Sequence, residues 1–511
     1  MSDAKGTVSG DVIEGARQMR GASLLLGGRL LSKLVNFGVQ IAIVRLLSKD
    51  DFGVFAYGLA LSLAGELVVK FGLGRGANRF VPYHAERREY PEVMGTLGLV
   101  CATIVVLGGL GFGILFWISG FGWSGIPSGA GSRVVLILAV LAPVHALDTI
   151  GIQTLACFSR PREIFFRKHV LGPALRAGSV GVVFLLGGDA ETLAYTYLGS
   201  GVIGLAICVH LALRELHAHD VLPLPVSKWR VPWRPLFRFS FPLLSSDLVY
   251  IVMTGVTTVV LMQTSGEEGV AEMRAVVPAA GLIELVVQSF SMLYMPAAMR
   301  LHARNDEAAL RVYHWKSAAW AAVLSFPIFG LTFAIAPGLV PILLGEAYAA
   351  SAQLLAILAI GHYVSVCLAF NGDTLQVFSR TRAIVKADFL TIGISIALAL
   401  LLCPPMGPLG ASIAVTVARL AGSITRQIIL LRTPGMESVP RSQIGVWWKV
   451  AVATLCATTI GWLWQPPFIV QLALVGILSL VLLRATARTL DLLGSFPEIR
   501  RVPIVAKWVD V

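Results

Sequence analysis

Apolar stretches of about twenty residues, each long enough to cross a bilayer as a helix, recur along this chain, and that recurrence constrains the fold more than any single motif. Fourteen of them lie near 21–45, 51–73, 93–118, 133–155, 165–187, 191–212, 238–262, 270–298, 315–336, 351–372, 384–403, 409–431, 446–464 and 468–484. Charged residues make up 14% of the 511 positions, well below the share of about a quarter usual in soluble domains. The expected class is an all-α polytopic membrane protein with about fourteen transmembrane helices. The first stretch has no small-residue cleavage site after it, so it reads as a retained helix and not as a signal peptide.

Basic residues alternate between the connections. Of 41 Lys and Arg, 32 gather in 1–20, 74–92, 158–168, 213–238, 300–316, 380–386, 426–449 and 484–511, while the other connections hold only Arg45, Lys49 and Arg133. By the positive-inside rule, the basic connections and both termini face the cytoplasm, which an even number of spans permits. The formal net charge of +12 then reads as a topology signal and an attraction to anionic lipid head groups. No nucleic-acid partner is expected, because no soluble basic module exists to bind one.

The opposite connections, such as GGDAET (187–192), CPPMGP (403–408) and WQPP (464–467), are too short for a folded domain. The longest basic connection, around 213–237, is rich in Trp, Arg and Pro and reads as an interfacial linker, with Trp229 and Trp233 at head-group level. It separates an N-terminal lobe, 1–212, from a C-terminal lobe, 238–431, leaving 432–511 for two further helices and a tail. Repeats support this division: FSRPREI (158–164) returns as FSRTRAI (378–384), and GELVVKF (65–71) echoes IELVVQSF (283–290). Two pseudo-symmetric six-helix lobes, related by an axis along the membrane normal with a site between them, are expected.

Charges inside spans are the candidate site, since each costs on the order of 3 kcal/mol near mid-bilayer and must face protein or water. The cations are Arg29, Lys33, Lys70, Arg176, Arg274 and Arg419; the carboxylates are Glu66, Asp148, Asp247, Glu284, Asp373 and Asp388. Arg29, Lys33, Asn36 and Gln40 fall on one helical face, which implies a hydrated groove, although Arg29 also lies near enough to the helix start to snorkel. Glu66 and Lys70 have the i, i+4 spacing of an intrahelical ion pair. Arg176, Arg419, Asp148 and Asp247 read first as paired charges between helices. Arg274 is two positions from Glu272, faces another side of the helix, and calls for a different partner, for which an anionic substrate qualifies. Glu66, Glu284, Asp148 and Asp247 are also the candidates for coupling a proton or Na⁺. Prolines 143, 173, 242, 278 and 327 mark expected bends.

Other chemistries find no support. The six cysteines are scattered, without zinc-ligand spacing, so no metal or other cofactor is expected. The histidines of HAHD (217–220) read as surface residues. No Gly-Lys dipeptide exists for a P-loop, and neither a D-x-D pair nor a nucleophile–base cluster marks an enzyme.

RLLSKDDFGVFAYG (45–58), PILLGEAYAAS (341–351), PMGPLGASIAVTVA (405–418) and the basic GLGRGANRFVPYHAERRE (72–89), in this order among fourteen spans, resemble polysaccharide flippases of the multidrug/oligosaccharidyl-lipid/polysaccharide (MOP) exporter superfamily. The resemblance implies two lobes around a cationic cavity that moves lipid-linked oligosaccharide across a bacterial inner membrane by alternating access. In the lipid II branch, a basic residue of the first helix and an arginine early in the eighth contact pyrophosphate; Lys33 in SKLVNFGVQIAIVR and Arg274 in GVAEMRAVV match them. Val39 and Gln40 depart from that branch, where Arg and Asp stand, which argues against lipid II itself as substrate. The rival readings are a cation-coupled multidrug exporter of the same superfamily, a membrane-embedded glycan polymerase or ligase, and a scaffold for glycan-assembly proteins. The first would want carboxylates and aromatics in its cavity; the second would need a larger outward loop.

Overall fold

A computed structural model describes residues 27–490 apart from 122–125, 159, 220, 223, 242–243 and 465. The basic terminal segments 1–20 and 491–511, and the bend expected at Pro242, lie outside the described residues. The regular structure of the described residues is helical, with no strand among them. Every expected span falls on helix along most of its described length. Ten helices among the described residues are long and apolar enough to cross a membrane, or eleven if the bent pair Asp247–Ser291 and Tyr294–Ala303 is joined. The chain divides into two compact units, Met1–Gln263 and Thr264–Val511.

The first unit contains α1 (27–46), α2 (Lys49–Lys70), α3 (Leu73–Glu86), α4 (Tyr90–Gly120), α5 (Ala130–Cys157), α6 (Pro161–Leu186), α7 (Ala190–Ala218), α8 (Trp233–Ser240) and α9 (Leu244–Ile251). Helix starts follow ordinary capping chemistry. Ser48 accepts the Asp51 N–H at 3.1 Å ahead of α2, and Asp189 accepts that of Thr192 at 3.0 Å ahead of α7. Proline sets the irregularities, because the carbonyl four residues before it loses its donor. The helical run of α5 is interrupted at Val140, just before Pro143, and α6 has a π-helical turn over Phe166–Leu171 before Pro173. The amphipathic α3 buries Leu73, Ala77 and Val81 on a core completed by Val93, Leu97 and Leu236. Farther along α4 the polarity inverts: Val105, Val106, Phe116 and Trp117 are exposed, as a lipid-facing surface requires.

The linker is tied to the start of α4. The Arg230 N–H bonds to the Pro91 carbonyl at 3.0 Å, and the Trp229 ring lies over Gly98 of α4. Trp229 thus packs on α4, whereas Trp233 is 55% exposed. Beyond α8, α9 and its π-helical continuation Val252–Val256 pack on α2, placing them in the first unit.

α10 (Thr257–Gly281) crosses the unit boundary. The second unit continues with α11 (Leu285–Ala303), α12 (Glu307–Phe333), α13 (Ala336–Leu344), α14 (Ser351–Cys367), α15 (Asn371–Val377), α16 (Thr381–Leu431), α17 (Arg441–Thr458) and α18 (Phe468–Leu490). α12 is its centre: Phe326, Phe329 and Trp320 are buried, and Phe329 stacks on Tyr363 of α14 at 4.1 Å. The 51 residues of α16 are two arms joined at Gly407, whose φ of +54° disfavours any side chain. This break accounts for one of the differences between the expected fourteen spans and the ten apolar helices.

The FSR repeat forms the same turn in both units. After α5 the Arg160 N–H reaches the Leu155 carbonyl at 3.1 Å, and after α15 the Arg380 N–H reaches the Leu375 carbonyl at 2.8 Å. The next helix then begins at Pro161 or Thr381.

Close packing of the linker gives a paired test. A Cβ at Gly95 would lie 2.0 Å from the Arg230 carbonyl oxygen, whereas one at Gly109 in the same helix meets nothing within 4 Å. Gly95→Ala should cost about 1–3 kcal/mol, lowering the unfolding temperature in detergent, and Gly109→Ala should leave it unchanged.

Candidate functional site

In the first unit, α1 meets α6 along the positions Gly28, Ser32 and Asn36. A Cβ at Gly28 would touch the Phe165 ring at 2.6 Å, Ser32 Oγ lies 2.9 Å from His169 Nδ1, and Arg176 Nη1 donates to Asn36 Oδ1 at 3.2 Å. Leu31 and Leu34 on the other side are each 57% exposed, so the helix has one apolar outer face and one polar inner face. Arg29 and Lys33 flank the inner face and are partly buried.

Behind this seam, Lys70 Nζ donates to Glu66 Oε1 at 2.8 Å within α2, and Thr149 of α5 donates to the same oxygen at 3.2 Å. Arg167 of α6 holds Asp148 of α5 through Nη2 at 2.7 Å and Nε at 2.9 Å. His145 feels the charges of Arg176, Glu66, Arg167 and Lys70, and Lys168 those of Arg29, Asp148 and Glu66. Near the end of α2, Arg75 Nη2 donates to Asp247 Oδ1 of α9 at 2.6 Å. Of the cations on α1, α2 and α6, Lys70 is thus held by Glu66 and Arg167 by Asp148, Arg29 and Lys33 are half-buried, and Lys168 and Arg176 are exposed.

Arg167 was missed as an interior residue, having been assigned with Lys168 to the connection 158–168. Its side chain is 9% exposed, and a Cβ at Gly204 would meet its Nη2 at 2.4 Å. The missed signal is Pro161, a residue favoured in the first helical turn, which starts α6 four residues before the expected span.

In the second unit, Glu284 Oε1 accepts both His362 Nδ1 at 2.9 Å and Arg419 Nη1 at 2.5 Å. Asp388, 1% exposed at its side chain, accepts Arg426 Nη2 at 2.5 Å, so Arg426 is also an interior residue and not part of the connection 426–449. Asp373 accepts a bond from Ser291 at 3.4 Å. Arg274 lies partly buried on α10. No metal-ligand group of three or more acids, histidines and cysteines occurs among the described residues.

The sequence profile of the polysaccharide biosynthesis protein family matches residues 19–302, more than half of the chain, and the chain belongs to that family. No curated protein sequence matches it. Among solved structures, the lipid II flippase MurJ in an inward closed conformation matches with a TM-score of 0.67 and 14% identity, over 91% of this chain and 99% of its own. An inward-facing multidrug resistance MATE family transporter of the MOP superfamily gives 0.58 and 16%, over 78% and 93%. A MOP superfamily transporter from Pyrococcus furiosus, described for the reverse polarity of its binding pocket, gives 0.58 and 14%, over 83% and 96%. The likeness is one of fold: this is a multi-pass membrane protein with the MOP transporter architecture.

The Arg167–Asp148 pair is open to a stability test. Removing one member strands a buried charge at a cost of about 3–5 kcal/mol. Arg167→Met should therefore lower the unfolding temperature sharply, and the double variant Arg167→Met/Asp148→Leu should recover most of the loss.

Proposed function

We propose that this protein is a flippase that carries polyprenyl-pyrophosphate-linked oligosaccharide from the cytoplasmic to the periplasmic leaflet of a bacterial inner membrane, by alternating access, for surface polysaccharide biosynthesis. The observation that carries this reading is the group of cations where α1 meets α6 in the first unit, with Arg29 and Lys33 beside the seam and Arg176 bonded to Asn36 across it. Family membership and the fold it shares with a lipid II flippase support it. Taken into hydrocarbon unpaired, a pyrophosphate loses its hydration at prohibitive cost; cations in a hydrated groove replace that hydration while the prenyl tail stays in lipid. Lys33 supplies a point charge, and Arg176 and Arg274 supply forked donors for phosphate oxygens. Arg29 adds to the attracting field at the groove's cytoplasmic end, and Arg419, bound to Glu284, is the weakest candidate for substrate contact.

For proton or Na⁺ coupling, Glu284 is favoured. Glu66, Asp148 and Asp247 are each bound to a Lys or Arg, whereas Glu284 is bound to both Arg419 and His362, two groups on other helices. The multidrug-exporter reading is disfavoured because organic cations would be repelled by the same groove.

Two experiments test the proposal. Loss of a charge-assisted phosphate contact costs about 1.5–3 kcal/mol, so Lys33→Ala and Arg274→Ala should abolish glycan export in a deletion strain at normal protein abundance. Full complementation by both would overturn the assignment. For topology, cysteine introduced at the exposed Ser128 should label from outside and at the exposed Ser227 from inside; the reverse pattern would invert the orientation.

A further inference from the structure

The short helices α3 and α8 of the first unit pack side by side, Leu236 fitting against Gly76 and the Arg79 guanidinium lying 4.5 Å above the Phe239 ring. Four membrane-length helices, α4 to α7, separate the two in sequence. An even number of crossings puts both helices on the same side of the membrane. Their buried faces are apolar, but their outward residues are basic and aromatic. Arg79, Arg234 and Arg238 are exposed, as are Tyr83 at 53%, Trp233 at 55% and Phe241 at 66%.

Nearby cations are neutralised: Arg75 by Asp247, Arg230 by Glu92, and Arg87 by Glu89, which also bonds His84. Among the described residues no carboxylate pairs with Arg79, Arg234 or Arg238. Arg79 and Arg234 instead stack on Phe239 and Trp233, the latter at 5.1 Å. A guanidinium held against a ring keeps its edge open for phosphate oxygens, and exposed aromatic residues beside it suit the bilayer interface.

We propose that the α3/α8 platform is a binding surface for the head groups of acidic phospholipids, with Arg79, Arg234 and Arg238 contacting phosphate and Trp233 and Phe241 seated among the upper acyl chains. It anchors the segment between α7 and α9 to the bilayer surface. This inference is independent of the transported substrate and stands if the flippase reading fails.

The test uses the full-length protein in nanodiscs of phosphatidylcholine with a fixed fraction of brominated phosphatidylglycerol or brominated phosphatidylcholine. The Trp233 signal is taken as the difference from Trp233→Phe. Brominated phosphatidylglycerol should quench Trp233 more strongly than brominated phosphatidylcholine, and the excess should fall as salt is raised. In Arg79→Gln, Arg234→Gln and Arg238→Gln, the apparent preference should drop about fivefold per arginine removed. Arg162→Gln, at an exposed cation elsewhere in the unit, should leave it intact. Equal quenching by the two lipids, as expected if the platform docks an acidic protein instead, overturns the proposal. So does an excess that survives the triple variant or is insensitive to salt in the wild-type protein.

Discussion

A charged side chain in hydrocarbon must find an opposite charge, a hydrogen-bond partner or water, and this requirement organises both units. Asp148 ties α5 to α6 through Arg167, Asp247 ties α9 to the start of α3 through Arg75, and Asp388 joins the two arms of α16 through Arg426. Glu284 binds α14 and α16 together through His362 and Arg419. Apolar contacts between helices gain little over contacts with lipid tails, so these polar ties, with close approaches at glycine, specify which helix faces meet.

Much of this was legible in the sequence because length and hydropathy are local properties. The spans, the FSR turn and the polar face of α1 could all be read from spacing. The resemblance motifs have an equally local basis. Ser48 and its acidic neighbours start α2, Gly345 at φ +100° precedes the turn Glu346–Tyr348 that leads into α14, and Gly407 breaks α16. These three features identify a fold through helix boundaries.

Partner choice was not legible, because it depends on contacts between residues far apart in the chain. Arg167 and Arg426 looked like loop cations because each lies where a run of apolar residues meets a basic connection, although a charge with a carboxylate waiting on another helix or arm can lie inside. The seat that Gly98 opens on α4 for the Trp229 ring is a contact of the same kind. That seat is visible only when both segments are seen together.

The two copies of the repeat treat the same acid differently. Glu66 and Glu284 occupy equivalent places in GELVVKF and IELVVQSF, but the lysine four residues after Glu66 is replaced by Gln288 after Glu284. Compensation in the first unit is therefore local: Lys70 stays with Glu66 however α2 moves. In the second unit it is supplied by Arg419 and His362 from other helices, so the compensation of Glu284 depends on how α14 and α16 are placed.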